Sequence, residues 1–306
     1  MRSYSFDASL GTIGAGQFGL FARDQAYGAG LDDAAIRRRQ RDGWITEVLK
    51  DVFLLPGFPP SLEQRVLAHV LWCGRDSSFV SHRCEAELLG LGESRHCPIE
   101  LTTTRQRRAI PSSVIHRVPV VQPVHRWSIG PIPAIAPAKL ALDLGATLPW
   151  DAYEATVEEM LLRTLLTLPR ARWELATFGG QGVRGTAFLR RFLDDRPPGY
   201  KPLKSPLELR VRRELKKAGF PEPLYEYPIR LSDGTVVHPD FSWLPSKSTV
   251  EAESYRWHGG RAAFDRDIDR YAAMRRDGWT VIQVTSTILD RRLDTFLADV
   301  RTALGS

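Results

Sequence analysis

The sequence lacks the features that would place the chain in a membrane or outside the cell. Its three cysteines are odd in number and form no CxxC pair, which argues against a disulfide framework. No stretch approaches the roughly 18 apolar residues that span a bilayer, and no charged leader precedes an apolar run. Cys73, Cys84 and Cys97, even with His82 and His96 nearby, match no zinc-ligand spacing. We therefore expect a cytoplasmic protein with no membrane partner.

The chain also lacks a strong excess of one charge, although basic residues outnumber acidic ones. The 306 residues carry 42 Lys and Arg against 36 Asp and Glu, a formal net charge of +6. The basic residues outnumber the acidic ones by 26 to 21 before Ser205 and by 16 to 15 from Ser205 onward. The apolar content of 43% is ample for ordinary cores, and the length allows two or three domains. The basic excess suits a polyanionic partner such as DNA and lies mainly outside the last third.

Residues 1–58 have the element order of a winged helix-turn-helix. The pattern predicts a helix over 21–28, a second helix over 33–41 capped by Asp32, and a hairpin over 44–55. In that fold the second helix enters the major groove of DNA and the hairpin touches the backbone. Four arginines of this helix are candidate phosphate or base contacts, with a solvated helix face as the alternative: Arg37, Arg38, Arg39 and Arg41.

Composition divides the rest of the chain into four parts. They are an α+β region over 59–145, a helical connecting region over 146–195, a Pro- and Gly-rich linker over 196–204 and a domain over 205–306. In the last part we predict a helix, a meander of three strands, a helix, a strand and a final helix over 290–304, the meander strands being 225–231, 235–243 and 249–253. This order indicates an α/β domain with helices on a mixed sheet.

Three carboxylates lie on two successive strands of that last domain. Asp240 ends one strand, and Glu251 and Glu253 occupy the next. Because side chains alternate along a strand, both glutamates project the same way, while Val250 and Ala252 face the core. Neighbouring like charges cost free energy unless a cation lies between them, and Mg²⁺ prefers oxygen ligands. The pattern predicts a Mg²⁺ or Mn²⁺ site, with scattered acids on an exposed strand edge as the alternative.

Residues 205 to about 304 resemble the very-short-patch-repair (Vsr-like) endonuclease domain, a branch of the PD-(D/E)xK nucleases. The resemblance rests on six pieces in matching order and spacing: Glu208, Pro239-Asp240-Phe241, Val250-Glu251-Ala252-Glu253, Trp257-His258, Arg266-Asp267-Ile268-Asp269-Arg270 and Gly278-Trp279-Thr280-Val281. It implies a restriction-endonuclease-like fold and hydrolysis of phosphodiester bonds in DNA.

The resemblance also implies roles for individual residues. Asp240 would be the principal metal-binding carboxylate, Glu251 would take the acidic position of the (D/E)xK element, and the carbonyl of Ala252 would add a metal ligand. Glu208 would reach the site from its helix, and His258 would transfer protons or contact the scissile phosphate. From the residues alone, Glu208 is equally an acid at a helix N-terminus, and His258 a surface histidine.

The chain departs from the family pattern at two places. Glu253 followed by Ser254 stands where the superfamily has lysine and where this branch has aspartate followed by glycine. Gln283 stands where this branch often has arginine. The arginines of the preceding helix alternate with aspartates, a pattern more typical of a solvated helix face than of a site, and so they are not among the candidates: Arg266, Arg270, Arg275 and Arg276.

Residues 11 to 145 resemble a second family, the AbiEi-type antitoxins and transcriptional regulators of type IV toxin–antitoxin systems. The matching pieces are Ala35-Ile36-Arg37-Arg38-Arg39, Pro56-Gly57, Glu63-Gln64-Arg65, Ser81-His82-Arg83, Ile99-Glu100-Leu101-Thr102 and the segment 133–144. The resemblance implies DNA binding by a winged helix.

Together these patterns predict a metal-dependent DNA endonuclease with an N-terminal DNA-binding module. Asp240, Glu251, Glu253, His258 and Glu208 are its candidate catalytic residues, and Mg²⁺ or Mn²⁺ is its cofactor. The rival hypothesis is a non-catalytic DNA-binding regulator, related to antitoxins, that uses the nuclease fold for recognition or dimerisation. A cognate toxin is a partner only under this rival, whereas DNA is a partner under both and a homodimer fits either.

Overall fold

The computed structural model describes residues 2–92, 98–197, 200–253 and 260–305, and it has a mixed α/β architecture. The chain divides into two compact units, Met1–Pro198 and Gly199–Ser306. In the described ranges, no helix is both long and apolar enough to cross a bilayer.

The first unit begins with helices around a small antiparallel sheet of strand order β1-β3-β2. Its elements are α1 (Arg2–Ala15), β1 (Leu20–Ala22), α2 (Arg23–Gly28), α3 (Asp33–Arg41), β2 (Thr46–Leu49) and β3 (Val52–Leu54). The carboxylate of Asp32 caps α3 by accepting a hydrogen bond from the Ala35 amide at 2.7 Å. Ile36 of α3 packs with Phe21 and Phe53 in the core, so the opposite side of α3 faces solvent.

The predicted helix over 21–28 is wrong in its first residues. Leu20–Ala22 forms a strand that pairs with Val52–Leu54, and the helix begins only at Arg23. Both Leu20 and Phe21 are fully buried, and consecutive buried residues are typical of a strand covered on both faces.

A five-stranded mixed sheet of order β6-β5-β4-β8-β7 follows within the first unit. Its strands and the helices around it are α4 (Leu62–Cys73), β4 (Ser78–Val80), α5 (His82–Leu88), β5 (Ile99–Thr103), β6 (Ser113–Arg117), β7 (Arg126–Ile129) and β8 (Ile132–Ile135). Ser61 caps α4, whose apolar residues Val66, Leu67 and Val70 pack in one core with Leu101 of the sheet. β5 and β6 run parallel, and β4 pairs antiparallel with β5.

Four helices complete the described part of the first unit. They are α6 (Pro137–Leu144), α7 (Trp150–Leu162), α8 (Leu168–Phe178) and α9 (Thr186–Asp194). Beyond α9, the fully buried guanidinium of Arg196 pairs with Glu154 at 2.9 Å and with Glu158 at 2.7 Å. The two carboxylates compensate the buried cation, which would otherwise carry a large desolvation cost.

The second unit places a four-stranded mixed sheet of order β14-β13-β12-β9 between helices. Its elements are α10 (Pro206–Lys217), β9 (Leu224–Tyr225), β10 (Ile229–Arg230), β11 (Val236–Val237), β12 (Phe241–Trp243), β13 (Ser248–Ala252), α11 (Gly260–Arg276), β14 (Thr280–Val284), α12 (Ser286–Arg291) and α13 (Leu293–Leu304). β13 runs parallel to β14 and antiparallel to β12. The predicted mixed sheet with flanking helices is confirmed.

Two details of the second unit differ from the predicted meander. Each of its first two strands is split: β9 pairs with β12, while β10 and β11 form a separate ribbon. The apolar side chains of the ribbon, including Ile229 and Val237, pack against Tyr271 and Met274 of α11. The two ribbon strands are therefore separate from the main sheet. The final helix is likewise two helices, because Arg292 leaves helical geometry between α12 and α13.

Candidate functional site

Asp240 and Glu251 lie beside each other at one end of β12 and β13. The antiparallel register pairs Phe241 with Val250, and one step further along the ladder Asp240 comes opposite Glu251. The Asp240 carboxylate accepts a hydrogen bond from the backbone amide of Ala252 at 2.8 Å. This bond fixes the aspartate against the strand that carries both glutamates.

Glu251 and Glu253 both face α11, as strand alternation predicts. The guanidinium of Arg270 lies 3.3 Å from the Glu251 carboxylate, and the hydroxyl of Tyr271 donates a hydrogen bond to Glu253. Val250 is fully buried in the core on the other face of the sheet, and Ala252 packs against that core. The predicted alternation is therefore confirmed.

Burial controls the protonation of this pair of carboxylates. Glu251 is only 2% exposed, and burial raises its pKa to about 8, with the negative charges of Asp240 and Glu253 adding to the effect. Burial also raises the pKa of Asp240 to about 6, and the charge of Glu208 contributes. Both carboxyl groups therefore hold protons more tightly than free side chains do, because burial disfavours their charged forms.

Glu208 combines a helix-capping role with proximity to the carboxylates. Its amide donates to the Ser205 hydroxyl at 3.1 Å, and its carboxylate accepts from the Lys204 amide at 2.9 Å. These bonds support the start of α10. Glu208 is buried, which raises its pKa, and its charge in turn raises the pKa of Asp240. The residue therefore joins the electrostatics of the site from the helix.

The chemistry of these oxygen ligands fits a hard divalent cation, although the oxygens lie too far apart to surround it by themselves. All the candidate side-chain ligands are carboxylate oxygens, the type that Mg²⁺ and Mn²⁺ prefer. One oxygen of Glu251, Oε1, is buried without a hydrogen-bond partner among the described residues. Within those residues the acidic side chains do not bring three oxygens to within 4.8 Å of one another. Water and phosphate oxygens would have to complete the coordination of a metal held by Asp240 and Glu251.

The four arginines predicted to contact DNA lie on α3 of the first unit. Arg37, Arg38 and Arg41 are exposed, whereas Arg39 is half-buried. Immediately after the helix, the indole of Trp44 is 67% exposed. Arg38, Arg39 and Trp44 line an open cleft of about 490 Å³. Guanidinium groups beside an exposed aromatic ring are suited to a polyanion that also offers stacking surfaces.

No family model matches the chain. It is 30% identical over 151 residues to two uncharacterized proteins of Mycobacterium tuberculosis, MT2308 of strain CDC 1551 and Rv2248 of strain H37Rv. The match covers 49% of this chain and 54% of each relative, so the chain spans about half the length of the curated relatives it matches. Among solved structures, the RV2827C protein of the same organism gives a TM-score of 0.41 at 15% identity, over 73% of this chain and 88% of that one.

The structure adds residues that the sequence pattern did not indicate. The interpretation of the α11 arginines as a solvated face is wrong for Arg270, whose side chain is only 31% exposed and contacts Glu251. Tyr271 follows it and contacts Glu253. Lys204, just before α10, forms an ion pair with Glu226. The negative charge of Glu226 also raises the pKa of Asp240. His258, a predicted catalytic residue, lies outside the described residues.

A helical pattern could have suggested Arg270 and Tyr271. They stand four and three residues before Met274, which is fully buried in the core that α11 shares with β10 and β11, and such positions share one helix face. The buried face of α11 therefore points Tyr271 toward the strands. Arg270 flanks that face, where a long side chain can reach the edge of the core.

Proposed function

We propose that this chain is a metal-dependent DNA endonuclease whose second unit carries the hydrolytic site and whose first unit carries a winged-helix DNA-binding module. The observation that carries the proposal is the placement of Asp240 and Glu251 side by side, with one buried Glu251 oxygen lacking a hydrogen-bond partner among the described residues. A buried polar atom without a partner costs free energy, and a bound cation would remove that cost. The resemblance of residues 205 to about 304 to Vsr-like nucleases supports the same function.

In this proposal Asp240 and Glu251 hold Mg²⁺ or Mn²⁺, and the carbonyl of Ala252 is a further ligand. A bound divalent ion lowers the pKa of a water and screens the negative charge that develops on the phosphate. The Ala252 amide keeps the Asp240 carboxylate oriented, and the Tyr271 hydroxyl keeps Glu253 close to the pair. Glu208 adds negative charge, which raises the pKa of Asp240 and attracts cations to the site.

In this proposal Arg270 supplies the positive side chain that Glu253, at the lysine position of the superfamily, does not. The superfamily has lysine where this chain has Glu253, so the strand itself supplies no positive charge to the scissile phosphate. The guanidinium of Arg270 enters from α11 at 3.3 Å from Glu251. Arginine offers a planar fork of donors that matches phosphate oxygens. We assign Arg270 to contact with the scissile phosphate, while the resemblance gives His258 proton transfer or a further phosphate contact.

The test is cleavage by the purified full chain with and without divalent ions. Nicked, mismatched, base-modified and single-stranded DNA are incubated with Mg²⁺, Mn²⁺ or EDTA, and the products are separated on denaturing gels. The proposal expects new DNA ends from at least one substrate in the presence of metal and none with EDTA. Its substrate panel also identifies the lesion or structure that the site prefers.

One observation favours a second candidate function, a DNA-binding regulator without catalysis. Glu251 and Glu253 already have protein partners in Arg270 and Tyr271, which is the arrangement expected if the carboxylates stabilise the fold and bind no metal. Under this candidate the nuclease fold serves recognition or dimerisation. The same assay then gives salt-sensitive DNA binding and no metal-dependent products on any of the substrates.

The exposed arginines of α3 give a prediction that holds under both candidates. Replacing Arg37, Arg38 and Arg41 together by alanine is expected to weaken DNA binding and to flatten its salt dependence. Each lost phosphate contact lowers the slope of log K against log salt by about 0.9, so the loss approaches about 2.7 for three contacts. Fluorescence anisotropy at several salt concentrations measures this slope.

The control for this prediction is a triple alanine variant of exposed arginines elsewhere in the first unit, Arg117, Arg184 and Arg190. It changes the net charge by the same amount, so it separates local contacts from the overall charge. Equal slopes in the two triple variants would contradict a DNA-binding role for α3.

A further inference from the structure

A second group of potential metal ligands lies in the first unit. His82, Glu100 and His116 each offer one ligand atom, and the three atoms lie within 4.8 Å of one another. His82 is the first residue of α5, Glu100 belongs to β5 and His116 belongs to β6. Glu100 lies 18 positions after His82 and 16 before His116, so the fold alone brings the three together. No local spacing motif predicts the group.

The sheet register explains why these side chains meet. β5 and β6 run parallel with Thr102 opposite His116, and Glu100 projects from the same face of β5 as Thr102. The Ser81 amide donates to the Glu100 carbonyl at 3.1 Å, which brings the start of α5 onto this face. His82 adopts a φ of +54°, a left-handed conformation that costs energy for a residue other than glycine.

The cluster contains buried polar atoms that its own hydrogen bonds do not satisfy. One Glu100 oxygen accepts from Arg83 at 2.9 Å, but the other has no hydrogen-bond partner among the described residues. It lies 3.4 Å from Nε2 of His116, an atom that is also buried without a hydrogen-bond partner there. This contact is an ion pair only when His116 is protonated; with a neutral His116 both buried atoms stay unsatisfied, which is expensive. A cation bound between them would satisfy both.

The third ligand is already oriented by surrounding hydroxyl groups. Nδ1 of His82 lies 2.9 Å from the Ser81 hydroxyl, and that hydroxyl accepts from Thr102 at 2.9 Å. If Nδ1 donates to Ser81, Nε2 of His82 is left with a lone pair for a metal. Partners of this kind fix the tautomer of metal-binding histidines.

We propose that His82, Glu100 and His116 bind a divalent transition-metal ion, with Zn²⁺ as the preferred occupant. Two imidazoles and one carboxylate form a three-ligand set that zinc accepts with water as the fourth ligand. The His116 side chain is 29% exposed, which leaves a route to solvent for that water. This site is independent of the carboxylates in the second unit and of the proposed nuclease function.

Metal binding requires one rearrangement of the imidazoles. The rings of His82 and His116 are stacked, with centroids 3.6 Å apart and planes inclined by 16°. A metal lies near the plane of each imidazole that binds it, so one of the two rings must tilt out of the stack. His116 is the more exposed of the pair and makes no hydrogen bond through Nε2 within the described part of the chain, and we assign the tilt to it. The competing explanation is a metal-free stack in which Arg83 neutralises Glu100.

The experiment measures zinc binding by the full chain carrying Asp240→Asn and Glu251→Gln, which removes the carboxylate pair of the second unit as a competing site. After treatment with a chelator, Zn²⁺ is added in a calorimetric titration and the bound metal is counted by mass spectrometry. One equivalent of Zn²⁺ is expected. Adding His116→Gln should weaken its binding by at least about a hundredfold, and Ser81→Ala, which removes a positioning group, by about tenfold.

Two further measurements keep the test independent of folding. His238→Gln, at an exposed histidine of the second unit, should bind Zn²⁺ as the parent does. Co²⁺ substitution should give the visible absorption bands of a low-symmetry site in the parent, and these bands should disappear in His116→Gln while circular dichroism shows an unchanged fold. The proposal is overturned if the parent takes up no Zn²⁺, or if His116→Gln and Glu100→Gln each bind it with the affinity of the parent.

Discussion

Asp240→Asn is expected to reduce metal-dependent DNA cleavage by about a thousandfold or more, equivalent to about 4 kcal/mol of transition-state stabilisation. Asparagine is nearly isosteric with aspartate and can still accept the hydrogen bond from the Ala252 amide, so the local backbone should be retained. What it removes is the negative charge that holds the cation. Cleavage rates measured across a range of Mg²⁺ concentrations show whether more metal restores the variant.

Asp233→Asn is the matched control for this substitution. Asp233 lies in the exposed turn between β10 and β11, where its carboxylate accepts from the Thr235 amide at 2.9 Å, a bond that asparagine can also make. It should cleave like the parent protein, and both variants should bind DNA with parental affinity. If Asp240→Asn cleaves DNA at the parental rate when metal is abundant, Asp240 is not the metal-binding carboxylate and the proposed site is wrong.

Strand alternation and turn chemistry predicted much of the carboxylate site from the sequence. The Asp240 and Glu251 pair depends only on an antiparallel hairpin of known register, and both glutamates point to one face because the strand period is two. Local rules are sufficient here because the two strands are joined by a short turn. Ser205 as the cap of α10 is a similarly local signal.

Contacts between distant elements could not be predicted in the same way. Arg270 reaches Glu251 from a helix whose charge pattern resembles a solvated face; the helical spacing to Met274 indicates its buried face but not which strand that face contacts. The His82, Glu100 and His116 group depends on the parallel register of β5 and β6 and on the chain placing α5 above them. Single-sequence periodicity carries no information about which strands become neighbours.

Glu251→Gln is expected to stabilise the second unit at high pH in the absence of metal. The folded-state pKa of Glu251 is about 8, above its ordinary value of 4.5, so the folded unit holds a proton that the unfolded chain loses. Its stability therefore falls as the pH rises from about 4.5 through 8. Between pH 5.5 and 8.5 this single group removes on the order of 3 kcal/mol, whereas glutamine imitates the protonated form at every pH.

Pulse proteolysis in urea at the two pH values, with peptides of the second unit identified by mass spectrometry, measures its unfolding free energy. The parental protein should lose stability at pH 8.5 and recover it when Mg²⁺ is added, because the cation takes the place of the proton on Glu251. Glu251→Gln should lose about 3 kcal/mol less and gain little from Mg²⁺. Glu214→Gln, which removes a carboxylate paired with Lys217 at 2.9 Å on the surface of α10, should follow the parent at both pH values. If the unfolding free energies of the parent and Glu251→Gln depend identically on pH and neither responds to Mg²⁺, then burial does not raise the pKa of Glu251 and Glu251 is not a metal ligand.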